Sequence, residues 1–292
     1  MKFGIHYAYW ENDWDTDLKQ YCYKAADLGF DALEISGNAM LVMSDEELKA
    51  LAGAADKAGV TVYPCHGMAK NRDVASEDPA IRERGFAQLR ELFNQMDVAG
   101  FKQLGGILYS YWPAYDFSTT TTDLQKAREI SLQSMDLIAK EAKKHDITLT
   151  LEVVNRFENF MFNTAKEGVE FVQKLGHENV KLLLDAFHMN IEEDFLGDAI
   201  RTAGKHLGHF HIGECNRKVP GQGHMPWDDI ARGLQDIGYD GVVAMEPFVL
   251  EGGEVGDSIR LWHNLVEGDV DLDKDIRGAL DFIKGKFLKQ PV

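Results

Sequence analysis

Four segments of the sequence carry side chains able to hold a divalent cation. LTLEVVN carries Glu152, VKLLLDAF carries Asp185, LGHFHIGE carries His209 and His211, and GVVAMEPF carries Glu246. Each is a short apolar run of strand-like composition. In a strand, residues i and i+2 point to the same face, so His209 and His211 share one. His211 is nearer the strand end and is the expected ligand. His209, one pleat deeper, is expected to be a core histidine with its ring nitrogens hydrogen-bonded. Glu214, just beyond, either supports the site or faces solvent. Taken singly, each acid could close its own salt bridge. Brought together, the three carboxylates repel one another and, with the imidazole, lose hydration unless a cation compensates. Three oxygen donors and one nitrogen, with room left for water or substrate, suit Mn²⁺, Mg²⁺ or Co²⁺ better than a closed zinc site.

The elements that must position these residues alternate along the whole chain. Strand-like runs cover 3–10, 30–36, 60–67, 103–110, 147–155, 180–187, 207–214 and 241–248. Amphipathic runs cover 17–29, 44–59, 79–100, 123–145, a segment from Ala165, then 195–203, 225–238 and 273–287. Ser44 and Glu47 form a capping-box pattern, and Gly29 and Gly59 are placed to stop helices. Eight such pairs predict an α/β fold, a (β/α)8 TIM barrel, with residues 1–292 in a single domain. A doubly wound sheet is the alternative, but no G-x-G-x-x-G turn follows an early strand. In a barrel, the C-terminal strand ends carry the active site, and Glu152, Asp185, His211 and Glu246 fall there on four consecutive strands.

Bulk properties narrow the partners. Lys and Arg total 31 against 48 Asp and Glu, a net charge of −17, with no basic cluster. Such a surface repels phosphate backbones and argues against a nucleic-acid partner. No apolar stretch approaches a membrane span, no signal peptide is visible, and the three cysteines are widely spaced. These features predict a cytoplasmic protein without a membrane partner or a disulfide framework.

The segments LEVVNRFE, LLLDAFHMNIEED, GHFHIGECNR, PGQGHMPWDDI and MEPFV, with GIHYAYWENDW near the N-terminus and LGGILYSYWP, resemble the ketose 3-epimerases, which include the D-tagatose and D-allulose (D-psicose) 3-epimerases. The resemblance extends over nearly the whole chain. It implies a xylose-isomerase-like barrel that epimerises small ketoses at C3, as a homodimer or homotetramer. It implies one divalent ion per subunit, Mn²⁺ ahead of Co²⁺ or Mg²⁺, held by Glu152, Asp185, His211 and Glu246, and no organic cofactor. Glu152 and Glu246 carry over as the two acid/base groups, and Glu158, His188 and Arg217 as contacts to the O1–O3 end of the sugar. His6, Trp14, His66 and Trp112 join them as substrate contacts, with Met68, Ile107 and Phe248 shaping the distal pocket. Departures from the family pattern fall at His6, at YPCHGMAK, at Ile107 and Ile212, and at LWHN. They bear on substrate preference around C4 to C6.

Epimerisation at C3 of a 2-ketose removes a proton α to the carbonyl and returns one on the other face. A divalent ion would polarise the carbonyl, and a glutamate is needed on each side of C3. The rivals are a metal-dependent aldose–ketose isomerase or polyol dehydratase on the same scaffold, a nuclease for damaged DNA, and a sugar-binding barrel without catalysis. The acidic charge weighs against the nuclease.

Overall fold

The computed structural model describes residues 1–115, 121–268 and 270–288. Its strands are β1 Lys2–His6, β2 Ala32–Ser36, β3 Thr61–Cys65, β4 Gln103–Gly106, β5 Thr148–Val153, β6 Val180–Asp185, β7 Leu207–Ile212 and β8 Val242–Met245. They close into one parallel barrel in sequence order, β8 pairing with β1. The helices of the first half are α1 Leu18–Leu28, α2 Gly37–Met40, α3 Asp45–Ala58, α4 Pro79–Ala99 and α5 Thr121–Lys144. Those of the second half are α6 Ala165–Leu175, α7 Ala186–Glu192, α8 Leu196–Ala203, α9 Trp227–Asp236, α10 Gly253–Ile259 and α11 Leu272–Phe287. The TIM barrel expected from the alternating runs is therefore the fold. Among the described residues no helix is long and apolar enough to cross a membrane.

Local chemistry sets the boundaries. Asp17 accepts a hydrogen bond from the Lys19 amide at the start of α1, and Ser44 and Glu47 close the capping box of α3. Gly29 and Gly59 take the left-handed conformation that ends these helices. The strands are shorter than the apolar runs. The first run leaves the sheet at His6, whose Nδ1 accepts from the Ala8 amide and caps a 3-10 turn over Tyr7–Tyr9. The sixth stops at Asp185, whose side chain accepts from the Phe187 amide and starts α7. Helices α2, α7 and α10 were not expected, because four to seven residues are too few to display a helical period.

Leu151, Leu182, Leu184, Phe210 and Met245 alternate outward from the barrel and are fully buried against the helices. The inward positions form layers. At the N-terminal end lie Gly4, Ala32, Val242 and Ala244, where a Cβ on Gly4 would come within 3.2 Å of Ala32. Small residues there let the strands converge. Above them the barrel interior turns polar, with Glu34, Gln103 and His209, and the uppermost layer carries the candidate ligands.

Candidate active site

The stagger of tilted barrel strands brings the four strand-end residues together. Asp185 lies directly across from His211, Glu152 across from Leu183, and Glu246 follows β8, its amide bonded to the Ile212 carbonyl 2.9 Å away. One potential ligand atom from each of Glu152, Asp185, His211 and Glu246 lies within 4.8 Å of every other. His211 Nδ1 stands 3.5 Å from Glu246 and 4.0 Å from Glu152. His211 Nδ1 and Asp185 Oδ2 are buried without a hydrogen-bond partner. Buried polar atoms are rarely left unpaired, and two such atoms in one acid-lined cluster fit a divalent cation. This donor set passes that test.

Electrostatics of the bare cluster are uneven. Burial and the neighbouring Glu246 push the Glu152 carboxyl well above the usual range. Burial acts on Glu246 in the same direction, but His211 outweighs it and holds that carboxyl low. His211 is pulled down by burial, yet Glu34 and Glu246 raise it well above an ordinary histidine. A bound cation would remove this conflict by stabilising both carboxylates together.

The expected sugar contacts gather on the same cavity, of about 270 Å³. It is lined by His6, Trp14, His66, Trp112, Glu158, His188 and Arg217 as well as by Glu152 and Glu246. Asn155 donates to His188 Nδ1 at 2.7 Å and to Glu158 at 3.1 Å. The neutral His188 ring then carries its proton on Nε2, which stands 3.6 Å from Glu152 and 3.7 Å from Asp185. Burial lowers the His188 pKa despite Glu158 and Asp185 nearby, consistent with a neutral ring. Arg217 spans the site, 3.5 Å from Asp185 and Glu158 and 3.6 Å from Glu246. Its guanidinium lies 3.6 Å over the Phe187 ring, and its backbone sits at φ 65°, a conformation uncommon outside glycine. Its amide bonds to the Glu214 carbonyl, and its own carbonyl accepts from the Phe248 amide.

Several residues take positions the sequence did not specify. The Trp112 indole N–H donates to Glu158 at 2.9 Å, so this residue orients an acid besides walling the cavity. His66 borders the cavity, but its ring packs towards Gly37 and both nitrogens are buried without partners. Burial lowers its pKa to about 4. Strand alternation turns Cys65, its neighbour, towards the carboxylates instead. Met68 is fully buried and lies outside the cavity wall, whereas Ile107 and Phe248 line it. Glu214 neither reaches the site nor meets solvent. It accepts from Gly221, Met225 and the Trp227 indole, tying together the loop that presents Arg217. His209 is the hydrogen-bonded interior histidine expected, contacting Gln103 and Glu34. Asn155 and Glu34 were missed. The only available signal was a polar residue within an apolar run, which names no partner.

The family model for the xylose isomerase-like TIM barrel matches residues 22–273. The chain is 47% identical to the D-psicose 3-epimerase of Ruminiclostridium cellulolyticum, over 97% of this chain and 96% of that one. It is 44% identical to the D-psicose 3-epimerase of Agrobacterium fabrum, over 97% and 98%. A crystal structure of D-psicose 3-epimerase with D-tagatose, from Clostridium cellulolyticum H10, superposes with a TM-score of 0.95 at 46% identity, covering 98% of this chain and 99% of that one.

Proposed function

The chain belongs to the xylose isomerase-like TIM barrel family and is a ketose 3-epimerase, and from that premise we propose that it interconverts C3 epimers of free ketoses of the D-psicose and D-tagatose type through two glutamates and one divalent ion. The observation that carries this reading is the convergence of Glu152 and Glu246, from separated strands, on one cluster with Asp185 and His211. The four side chains would hold the ion, Mn²⁺ ahead of Co²⁺ or Mg²⁺. When bound, it would act as a Lewis acid on the ketose carbonyl and acidify the C3 hydrogen.

The chain's own residues do the rest. A carboxylate oxygen of one glutamate takes the C3 proton on its face, leaving an enediolate. The carboxylic acid of the other returns a proton to the opposite face, so the two groups exchange protonation states in each turnover. His188 Nε2 and Arg217 donate hydrogen bonds to the oxygens at the carbonyl end, and Glu158 accepts from a hydroxyl there. Trp14, Trp112 and Phe248 give the chain apolar walls that exclude water. No organic cofactor is required. A cytoplasmic homodimer or homotetramer belongs to the same reading.

His6 joins that wall, its ring 6.1 Å from Trp14 and 5.9 Å from Phe248. Because its Nδ1 accepts from the Ala8 amide at 3.2 Å, a neutral ring presents Nε2–H as a donor, and burial favours the neutral form. His6→Phe is expected to keep kcat and raise KM for D-psicose about two- to tenfold, the equivalent of one neutral hydrogen bond. Steady-state kinetics that leave KM unchanged would remove His6 from the substrate contacts.

A panel of D-fructose, D-psicose, D-tagatose, D-sorbose and L-ribulose, analysed by chromatography with Mn²⁺ present, tests the function itself. Ketose-to-ketose conversion without aldose is expected. Accumulation of an aldose would favour the isomerase alternative.

A further inference from the structure

The polar layer beneath the candidate ligands has a direction. Glu34, on β2, lies across from His6 on β1 and from Tyr63 on β3, so its side chain points into the barrel with theirs. It is 2% exposed and bonds to His209 Nε2, while both of its oxygens lie 3.0–3.1 Å from His211 Nε2. On its other side His209 meets the Gln103 side-chain amide, Nδ1 to Nε2 at 3.1 Å. The pattern of donors follows from Gln103. Its N–H donates to His209 Nδ1, so the neutral His209 ring carries its proton on Nε2 and donates it to Glu34. A carboxylate only accepts, so Glu34 takes its second hydrogen bond from His211 Nε2–H. In the neutral His211 ring that a metal ligand requires, the remaining nitrogen, Nδ1, holds the lone pair and faces Glu152 and Glu246, where it has no protein partner.

We infer that Gln103, His209 and Glu34 form a positioning network that fixes the ring orientation and tautomer of His211 for metal binding through Nδ1, with Glu34 as its central member. Glu34, His209 and His211 are also near enough together to suggest a second ion site. Their separations are hydrogen-bond separations, however, and each proton is accounted for by the donor pattern. The interior histidine thus acts on the site through Glu34 without touching substrate. Partners of this kind raise the basicity of a metal-bound imidazole and stop its ring from turning.

The inference rests on the metal reading proposed above, and one experiment separates the two. Co²⁺ is titrated calorimetrically into metal-free wild type, Glu34→Gln, His209→Phe and His211→Ala, and the visible spectrum of each Co²⁺-loaded protein is recorded. Glu34→Gln, nearly isosteric, is expected to weaken Co²⁺ about 10- to 100-fold and to alter the ligand-field bands. A residue with only a packing role would change neither. Wild-type affinity and an unchanged spectrum in Glu34→Gln, with affinity lost in His211→Ala, would overturn the network while sparing the metal site. Undiminished affinity in His211→Ala would overturn the metal reading and the network with it. If Glu34→Gln does not fold, His209→Phe carries the test: weakening on the order of tenfold supports the network, and unchanged affinity overturns it.

Discussion

Glu152→Gln and Glu246→Gln should each lose net epimerisation by about 10²- to 10⁴-fold, the contribution of a positioned acid or base. Each substitution keeps side-chain size and one candidate ligand oxygen but removes the proton carrier. The two should differ in partial reactions. With ketoses deuterated at C3, each variant should still exchange the epimer whose C3 hydrogen faces the remaining glutamate, and the other epimer much more slowly. Bound metal must be measured in both, since both residues are candidate ligands. If both retain metal and exchange the two epimers equally, one base works on both faces and the two-glutamate assignment is wrong.

Metal removal should have an effect as large, and on two observables. Exhaustive chelation should abolish activity, and Mn²⁺ or Co²⁺ should restore it. Stability should fall as well, because a ligand that binds only the folded state contributes about 2.7 kcal/mol at a hundredfold excess over its Kd. The physical reason lies in the uncompensated interior: two unpaired buried ligand atoms, and a Glu152 carboxyl that burial and Glu246 push upward. His211→Ala should weaken metal binding more than His209→Ala, since His211 offers a nitrogen to the cluster and His209 acts only through Glu34. Full activity in a preparation shown by elemental analysis to be metal-free would remove the metal from the mechanism.

The barrel was legible because each strand run and each helix run shows its own period, and because serine–glutamate and glycine boundaries marked several helix ends. The four candidate ligands were legible for a related reason: an acid or histidine at the end of an apolar strand is costly unless it is used. What escaped was chemistry between residues distant in sequence. Glu34 sits in ALEIS as Glu152 sits in LEVV, but its partners lie 175 and 177 residues away, and only barrel closure makes them neighbours. Asn155 was overlooked because its role is to orient His188 and Glu158, contacts that a loop sequence does not encode visibly. Strand alternation could have distinguished Cys65 from His66, yet the end of β3 was placed two residues too late to apply it. Glu214 needed the conformation of the following loop, where three donors converge on it.

Epimerisation of D-psicose in D2O, followed by NMR of the product, tests the central claim most directly. In the proposed mechanism one glutamate takes the C3 hydrogen and a different one supplies its replacement, so the D-fructose formed should carry one solvent deuterium at C3 and none at C1, from the first turnovers. Product that retains the original hydrogen at C3, or that carries its deuterium at C1 together with an aldose, would contradict two-glutamate epimerisation.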